Sequence, residues 1–453
     1  MVIKKNKCNL PDLFSCTICV IGLGYVGLPL AIEFSRVKKC LKTSKKLNRK
    51  IIGFDLNKKR VEELISGIDS TEESDEESKK EFKSITFIND KNADINADIF
   101  IISVPTPIDH ENNPDLSFLK NATELVANFI IKRDKITSPI FIIESTVYPG
   151  TTEEICVPII ENITGLKYNK DFFCGYSPER INPGDKNHNL TSIVKVTSGS
   201  NSETASWIND FYGSIIKAGT FKSKSIRIAE AAKVFENTQR DINIALVNEL
   251  AKICKTINID TLDVLNAAES KWNFLSFRPG LVGGHCISVD PYYLTYVAKK
   301  NGYTTDIVLA GRNLNDGMSS WVIKEILKEA TKKKIKISNS KILVLGLTFK
   351  ENCKDIRNSK AIDLIKILNK ENNIPYIYDP FIKDTNKLKN FDFKFLNRSP
   401  LLHKDKYDIV IIATAHDEFK KINSNIWSDI LNENYIIYDL KGIIPRCLNP
   451  LRI

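Results

Sequence analysis

Cys286 sits in the run Gly283-Gly284-His285-Cys286-Ile287-Ser288-Val289-Asp290, a setting in which a thiol could serve as a nucleophile. Gly283 and Gly284 carry no Cβ, so the backbone there can take unusual dihedrals and a substrate can come close to the sulfur. Only the thiolate attacks. His285, one residue before, and Asp290, four after, could set its ionisation or act as acid and base in a thioester route. A free Cys is commonly a small, inert core residue, and the glycines and polar neighbours argue against that here.

A nucleophile needs elements to hold it and its substrate, and glycine-containing turns lie far off on both sides. The first, Gly22-Leu23-Gly24-Tyr25-Val26-Gly27, follows an apolar run at 17–21 and opens a helical pattern. That is the context a dinucleotide fingerprint requires: glycines for the turn, for backbone approach and for packing, with the pyrophosphate at the helix N-terminus. Asp55 ends the next apolar run and is the expected ribose ligand, 28 residues beyond Gly27 because of an insertion within 38–50. Its carboxylate favours NAD, since it would repel a 2′-phosphate; Lys58, Lys59 and Arg60 leave NADP open.

Short buried-strand candidates at 17–21, 51–54, 99–104, 140–143 and 172–176 alternate with helical stretches, which predicts a parallel sheet covered on both faces. Polar residues follow several of these strands at the edge where open α/β sheets meet ligands. They are Ser103-Val104-Pro105-Thr106-Pro107, Glu144-Ser145-Thr146-Val147-Tyr148-Pro149-Gly150 and Tyr176-Ser177-Pro178-Glu179-Arg180. Any one of them could be an ordinary loop.

From about 229 to 259 the pattern turns helical, with Ala232, Phe235, Ile242, Leu246, Leu250 and Ile253 at helical spacing. Lys233 and Asn237, four apart, share a face distinct from that apolar stripe and could point into a cleft together; such residues are equally at home on a solvated face. The last third starts again with a strand-to-turn unit ending Gly346-Leu347-Thr348-Phe349-Lys350, then Asp355, Arg357 and Ser359, with further strands at 375–378, 408–414 and 435–438. A single glycine makes a poor dinucleotide turn. A nucleotide diphosphate held by backbone amides, Lys350 and Arg357 fits better.

Size and composition agree with this plan. A chain of 453 residues, 42% hydrophobic, has room for about three domains of ~150 residues. No apolar run approaches the ~20 residues of a membrane span, and Lys4, Lys5 and Lys7 only mimic the start of a signal peptide, since the apolar stretch after them becomes the nucleotide turn. The chain reads as a soluble cytoplasmic protein. Ten scattered cysteines suit a reducing compartment; Cys16 and Cys19 match Cys-x-x-Cys but face opposite sides of a strand, and no spacing suggests a zinc site. The net charge of +10 comes from dispersed lysines without interleaved aromatics, which points away from nucleic acid. The charge run at 71–83 reads as an exposed loop or helix.

With these pieces in order, the chain resembles the nucleotide-sugar 6-dehydrogenases, the family of UDP-glucose and GDP-mannose dehydrogenases, over nearly its whole length. The stretches 175–186 and 277–286 resemble the branch that acts on UDP-N-acetylhexosamines in capsule or surface polysaccharide synthesis, with UDP-N-acetylglucosamine the leading sugar. The resemblance implies two Rossmann-like doubly wound parallel-sheet domains, an NAD-binding one at 1–218 and a UDP-sugar-binding one at 326–453. A central helical domain at 219–325 with one long helix would join them and pack in a homodimer. It implies a four-electron oxidation at C6 with two NAD in succession, no metal, and a thiohemiacetal and thioester on Cys286. A cleft closing over the substrate would exclude bulk water.

Position by position, the resemblance makes Cys286 the nucleophile and matches Lys233 and Asp290 to the pair that stabilises the oxyanion and handles protons. Asn237 matches the oxyanion-side amide, Glu179 a carboxylate working with an ordered water, and Thr146 the hydroxyl that holds this water. Gly22, Gly24, Tyr25, Val26, Gly27, Asp55, Arg60, Thr106 and Thr146 fall at the cofactor. Glu179, Arg180, Lys233, Asn237, Gly283, Lys350 and Arg357 fall at the substrate, and Arg278 matches an Arg contributed across a dimer interface. Two departures stand out: Pro183 replaces a second Glu found in UDP-glucose enzymes, and His285 replaces a Ser before the Cys.

Rival readings remain: the same chemistry on UDP-N-acetylgalactosamine, UDP-N-acetylmannosamine or UDP-glucose; a two-electron hydroxy-acid dehydrogenase with Cys286 a bystander; a non-catalytic nucleotide-binding regulator; or a basic nucleic-acid binder. NADH stoichiometry, a UDP-sugar panel and salt-dependent nucleic-acid binding separate them.

Overall fold

The computed structural model describes residues 9–71, 74–181, 189–383, 391–402 and 405–453. Lys4, Lys5, Lys7, Glu72, Glu73 and the motif residues Asn182, Pro183, Gly184, Asp185 and Lys186 lie outside the described residues. The chain forms two compact units, one of residues 1–236 and 292–301, the other of 237–291 and 302–453.

The first unit is built on β1 (Thr17–Ile21), β2 (Lys50–Phe54), β3 (Ile85–Ile88), β4 (Ile99–Ile102), β5 (Ile140–Ile143), β6 (Phe173–Tyr176), β7 (Lys195–Gly199) and β8 (Thr220–Lys222). Their order is β3-β2-β1-β4-β5-β6-β7-β8. Every residue of β4 and β5 is buried, as expected when helices cover both faces of a parallel sheet. One such helix, Gly27–Arg36, turns Leu30, Ala31 and Phe34 onto Ile18, Val20 and Ile101 of the sheet. The expected parallel sheet is therefore present with one departure, the antiparallel pairing of β6 with β7.

In the second unit β9 (Ile342–Leu345), β10 (Tyr376–Tyr378), β11 (Lys394–Phe395), β12 (Tyr407–Ile412), β13 (Leu431–Asp439) and β14 (Leu451–Arg452) form a parallel sheet of order β11-β10-β9-β12-β13-β14. Each sheet reverses its winding beside its first strand, between β1 and β4 and between β9 and β12. That places a crevice at the carboxyl ends of those strands, where ligands of open α/β sheets bind.

The long helix spans Ile226–Thr256, and the face of Lys233 is distinct from part of the apolar stripe. Phe235, Leu246 and Ile253 are 62%, 62% and 51% exposed, whereas Lys233, Thr238, Asp241, Ala245 and Asn248 are buried. Ala232, Ile242 and Leu250 of the same stripe are half-buried, and the buried side mixes polar residues with Val234, Val247 and Ala251. No helix among the described residues is long and apolar enough to cross a membrane.

Candidate active site

In the first unit the three glycines have separate geometric jobs. Gly22 has φ +91°, and a Cβ there would lie 2.9 Å from the Ser103 carbonyl oxygen; a Cβ on Gly27 would lie 1.9 Å from the Gly22 carbonyl oxygen. A Cβ on Gly24 would meet nothing within 4 Å, so the space beside it is open to an incoming pyrophosphate. Ser103, just past β4, fastens the turn by donating from Oγ to the Gly22 carbonyl at 2.8 Å. Tyr25 and Val26 are half-buried and lead into the helix. The Asp55 carboxylate, at the end of β2, accepts the Leu23 and Asn57 amides, both at 2.8 Å. These residues fit an adenine dinucleotide with a ribose hydroxyl on Asp55.

Arg60 does something other than contact a phosphate. It is buried, donates from Nε to the Leu23 carbonyl at 3.0 Å and pairs with Asp69 at 2.8 Å. It shapes the turn from behind, while Lys58 and Lys59 stand in solvent opposite Glu62 and Glu63. Since a Cβ at Gly24 would meet no protein atom within 4 Å, Gly24→Ala is expected to leave the thermal unfolding midpoint unchanged yet weaken dinucleotide binding by about tenfold or more. Titration alongside a melt checks this, and unaltered affinity would contradict it.

The loops after β4, β5 and β6 are tied together. Thr106 donates from Oγ1 to the Thr146 carbonyl at 2.7 Å, and Ser145 from Oγ to the Val104 carbonyl at 2.6 Å. Glu179 accepts the Arg180 and Ile181 amides on Oε1 at 2.6 and 2.7 Å, while its Oε2 is buried without a partner among the described residues. A buried carboxylate oxygen left open in this way calls for a water or a substrate hydroxyl. Arg180 is engaged within the unit, pairing with Glu236 at 2.7 Å.

Behind Glu179 lies a buried pair that local sequence reading passed over. Lys195 on β7 meets Glu144 at 2.5 Å and donates to the Pro178 carbonyl at 3.0 Å, and Tyr212 donates to Glu144 at 2.6 Å. Burial pushes the Glu144 carboxyl up to about 7, against the pull of Lys195. Glu230, in the first turns of the long helix, accepts the Gly150 and Thr152 amides at 2.6 and 2.9 Å. It thereby fixes Lys233, one turn on, which is 8% exposed and forms no ion pair with the described residues.

In the second unit Cys286 is exposed, and its carbonyl accepts the amides of Val289 and Asp290 at 3.0 and 2.8 Å. The thiol is thus held one turn ahead of the helix Asp290–Lys300. Asn237 donates from Nδ2 to Asp290 Oδ2 at 2.5 Å, and the backbone turn ties Asp290 to Cys286. The Cys16–Cys19 pair is buried, and burial pushes the Cys16 thiol up to about 12, so it is no redox centre. Arg278 is exposed and forks onto Glu269, with a further bond to Asn266 at 2.9 Å.

The turn after β9 differs from its counterpart after β1. Asp379, at the end of β10 as Asp55 is at the end of β2, is buried and accepts the Leu347 and Thr348 amides at 2.6 and 3.0 Å and His416 Nε2 at 3.0 Å. Because His416 Nδ1 accepts the Asn352 amide at 3.0 Å, the proton sits on Nε2 and points at Asp379. The acid that would bind a ribose is consumed in fixing the loop that carries Phe349 and Lys350. A smaller nucleotide held by that loop suits the site better than a dinucleotide does.

Comparison with known proteins matches this chain to three profiles of one family. The UDP-glucose/GDP-mannose dehydrogenase family NAD binding domain covers residues 16–216, its central domain 227–317, and its UDP binding domain 343–446. A UDP-N-acetyl-D-glucosamine 6-dehydrogenase from Salmonella typhi is 47% identical over 96% of this chain and 98% of its own length. One of the same name from Pseudomonas aeruginosa is 46% identical over 96% and 99%. Among solved structures, a UDP-D-ManNAc dehydrogenase from Pyrococcus horikoshii superposes with a TM-score of 0.82 at 29% identity, covering 95% of this chain and 96% of that one.

Proposed function

The chain belongs to the UDP-glucose/GDP-mannose dehydrogenase family, and on that footing we propose that it oxidises C6 of UDP-N-acetylglucosamine to the carboxylate for surface polysaccharide synthesis. The relatives at 46 and 47% identity favour this sugar over its epimers. The observation that carries the reading is an exposed Cys286 whose carbonyl accepts the Asp290 amide at 2.8 Å, with the Asp290 carboxylate bonded to the Asn237 amide at 2.5 Å.

NAD, held by the turn of Gly22, Gly24 and Gly27 with Asp55, would supply the hydride acceptor for each of two successive oxidations at C6. Between them the Cys286 sulfur adds to the aldehyde carbon, and the carbonyl oxygen takes a proton to give a thiohemiacetal. Oxidation of that carbon gives a thioester on Cys286. Water then attacks, the C–S bond breaks, and the acid and the thiol are released. Asn237 and Lys233 stabilise the developing oxyanion, a positioned donor of this kind being worth ~3 kcal/mol. Asp290 orients Asn237 and handles protons. The open Oε2 of Glu179 takes a hydrolytic water held with Thr146. Lys350 and Arg357 take the diphosphate and sugar, in a division of labour over residues 1–218, 219–325 and 326–453. A panel of UDP-sugars with NADH counting and product mass tests this: two NADH per acid from UDP-N-acetylglucosamine are expected, and one NADH or no turnover would overturn it.

The working form is a homodimer. Leu246 and Ile253 expose 62% and 51% of their surface along one side of the long helix, Ile257 just past its end 59%, and Trp272 and Leu275 92% and 62%. Apolar surface so arranged is matched by a second copy of itself about a two-fold axis. The double variant Leu246→Glu with Ile253→Glu is expected to sediment at half the mass of the parent, which itself sediments as a dimer; a monomeric parent would contradict the assignment.

A further inference from the structure

Two loops of the second unit interlock around the residue preceding the nucleophile. His285 Nε2 lies 2.5 Å from Asp355 Oδ2. The same carboxylate accepts the Arg357 guanidinium, from Nε to Oδ1 at 3.1 Å and from a terminal nitrogen to Oδ2 at 2.8 Å, and the Arg357 amide at 2.9 Å. Asp355 is mostly buried, and these donors hold its carboxyl well below the usual carboxylate range. Asn358 donates from Nδ2 to the Gly284 carbonyl at 3.1 Å. The seating is close enough to need both glycines: a Cβ on Gly283 would come within 2.4 Å of the Asn358 carbonyl oxygen, and one on Gly284, at φ +93°, within 2.8 Å of the Phe349 ring. The His285 ring also meets Phe349 edge-on at 6.0 Å between centroids.

Every group in this lattice other than His285 and the two glycines comes from residues 349–358, the segment assigned above to the diphosphate and sugar. We propose that His285 is a positioning residue that, through Asp355, couples occupation of the Lys350 and Arg357 loop to the placement of the Cys286 loop. The inference rests on the proposed binding of a UDP-sugar by residues 349–358 and goes beyond it. A ligand that orders Arg357 and Asp355 also orders His285, and the adjoining residue is the nucleophile. His285 has no bond-making part in this scheme: with its Nε2 turned to Asp355, the ring aligns the backbone that carries the thiol.

The test uses the full-length protein and UDP, which lacks the sugar and so leaves the thiol uncovered. Amide hydrogen exchange is followed with and without UDP in the parent, His285→Ala and His285→Gln, alongside UDP affinity, KM and kcat. In the parent, UDP is expected to slow exchange at 349–358 and also at 283–289, by about threefold or more. In His285→Ala the UDP dissociation constant stays within about threefold, the protection gained at 283–289 falls below about a third of the parent value, and kcat drops about tenfold with KM little changed. His285→Gln, whose amide can still donate to Asp355, recovers most of both. Equal protection of 283–289 in the parent and His285→Ala, or no protection of that segment in the parent despite UDP binding, overturns the coupling. Failure of UDP to bind or to protect 349–358 at all would instead overturn the proposed substrate site.

Discussion

Cys286→Ser is expected to lose acid formation by on the order of 10³-fold or more while UDP-sugar and dinucleotide affinities stay close to those of the parent. A serine hydroxyl at an exposed, glycine-flanked position fits the space of the thiol, so the fold should survive. What disappears is a nucleophile able to hold the aldehyde carbon covalently for its second oxidation. Any remaining NADH therefore falls to at most one per sugar consumed. Product mass and NADH counting under single-turnover conditions check both, and acid made at the parental rate by the serine variant would reject a covalent role for residue 286.

The largest expected loss of stability lies in a buried polar network that supports the same loop. Arg312 and Asp241, with side chains 1% and 0% exposed, meet at 2.5 Å. Asn315 donates to Asp241 Oδ1 at 2.8 Å, and Asn248 donates to Asn315 at 2.8 Å. Asn248 also takes the Gly280 amide at 2.8 Å and gives to its carbonyl at 3.0 Å, so the chain leading to Cys286 is pinned to the long helix. Burial raises the Asp241 carboxyl, and Arg312 opposes that. Arg312→Met strands a buried carboxylate and is expected to cost about 3–5 kcal/mol in denaturant unfolding. Replacing both partners by apolar residues of similar size should recover much of the loss, because no buried charge is then left over. If the double replacement is as damaging as the single one, uncompensated charge is not the cause.

What could be read locally in the sequence was local in its physics. The turn at Gly22, Gly24 and Gly27 and the strand at 17–21 announce themselves because a glycine at positive φ, an open backbone and a β-branched run are properties of neighbouring residues. The Cys286 loop was legible for the same reason. The strand Lys195–Gly199 was not, since its lysine is buried only because Glu144, 51 residues earlier, neutralises it. The partnership of His285 with Asp355 spans 70 residues and depends on how two loops meet, which no spacing encodes. The long helix is the instructive case. Periodicity locates an apolar stripe but cannot say whether its own chain or another copy covers it, and here Leu246 and Ile253 face outward while Asp241 and Asn248 face in.

Trapping the protein in mid-turnover tests the central claim most directly. The enzyme is mixed with UDP-N-acetylglucosamine and excess NAD, quenched with acid within a few turnovers, digested, and the peptide containing Cys286 weighed. A mass increase equal to the acylated UDP-sugar on that peptide, rising before the acid appears and decaying as it accumulates, is the predicted result. Unmodified Cys286 throughout, with acid still forming at the full rate, would contradict the account.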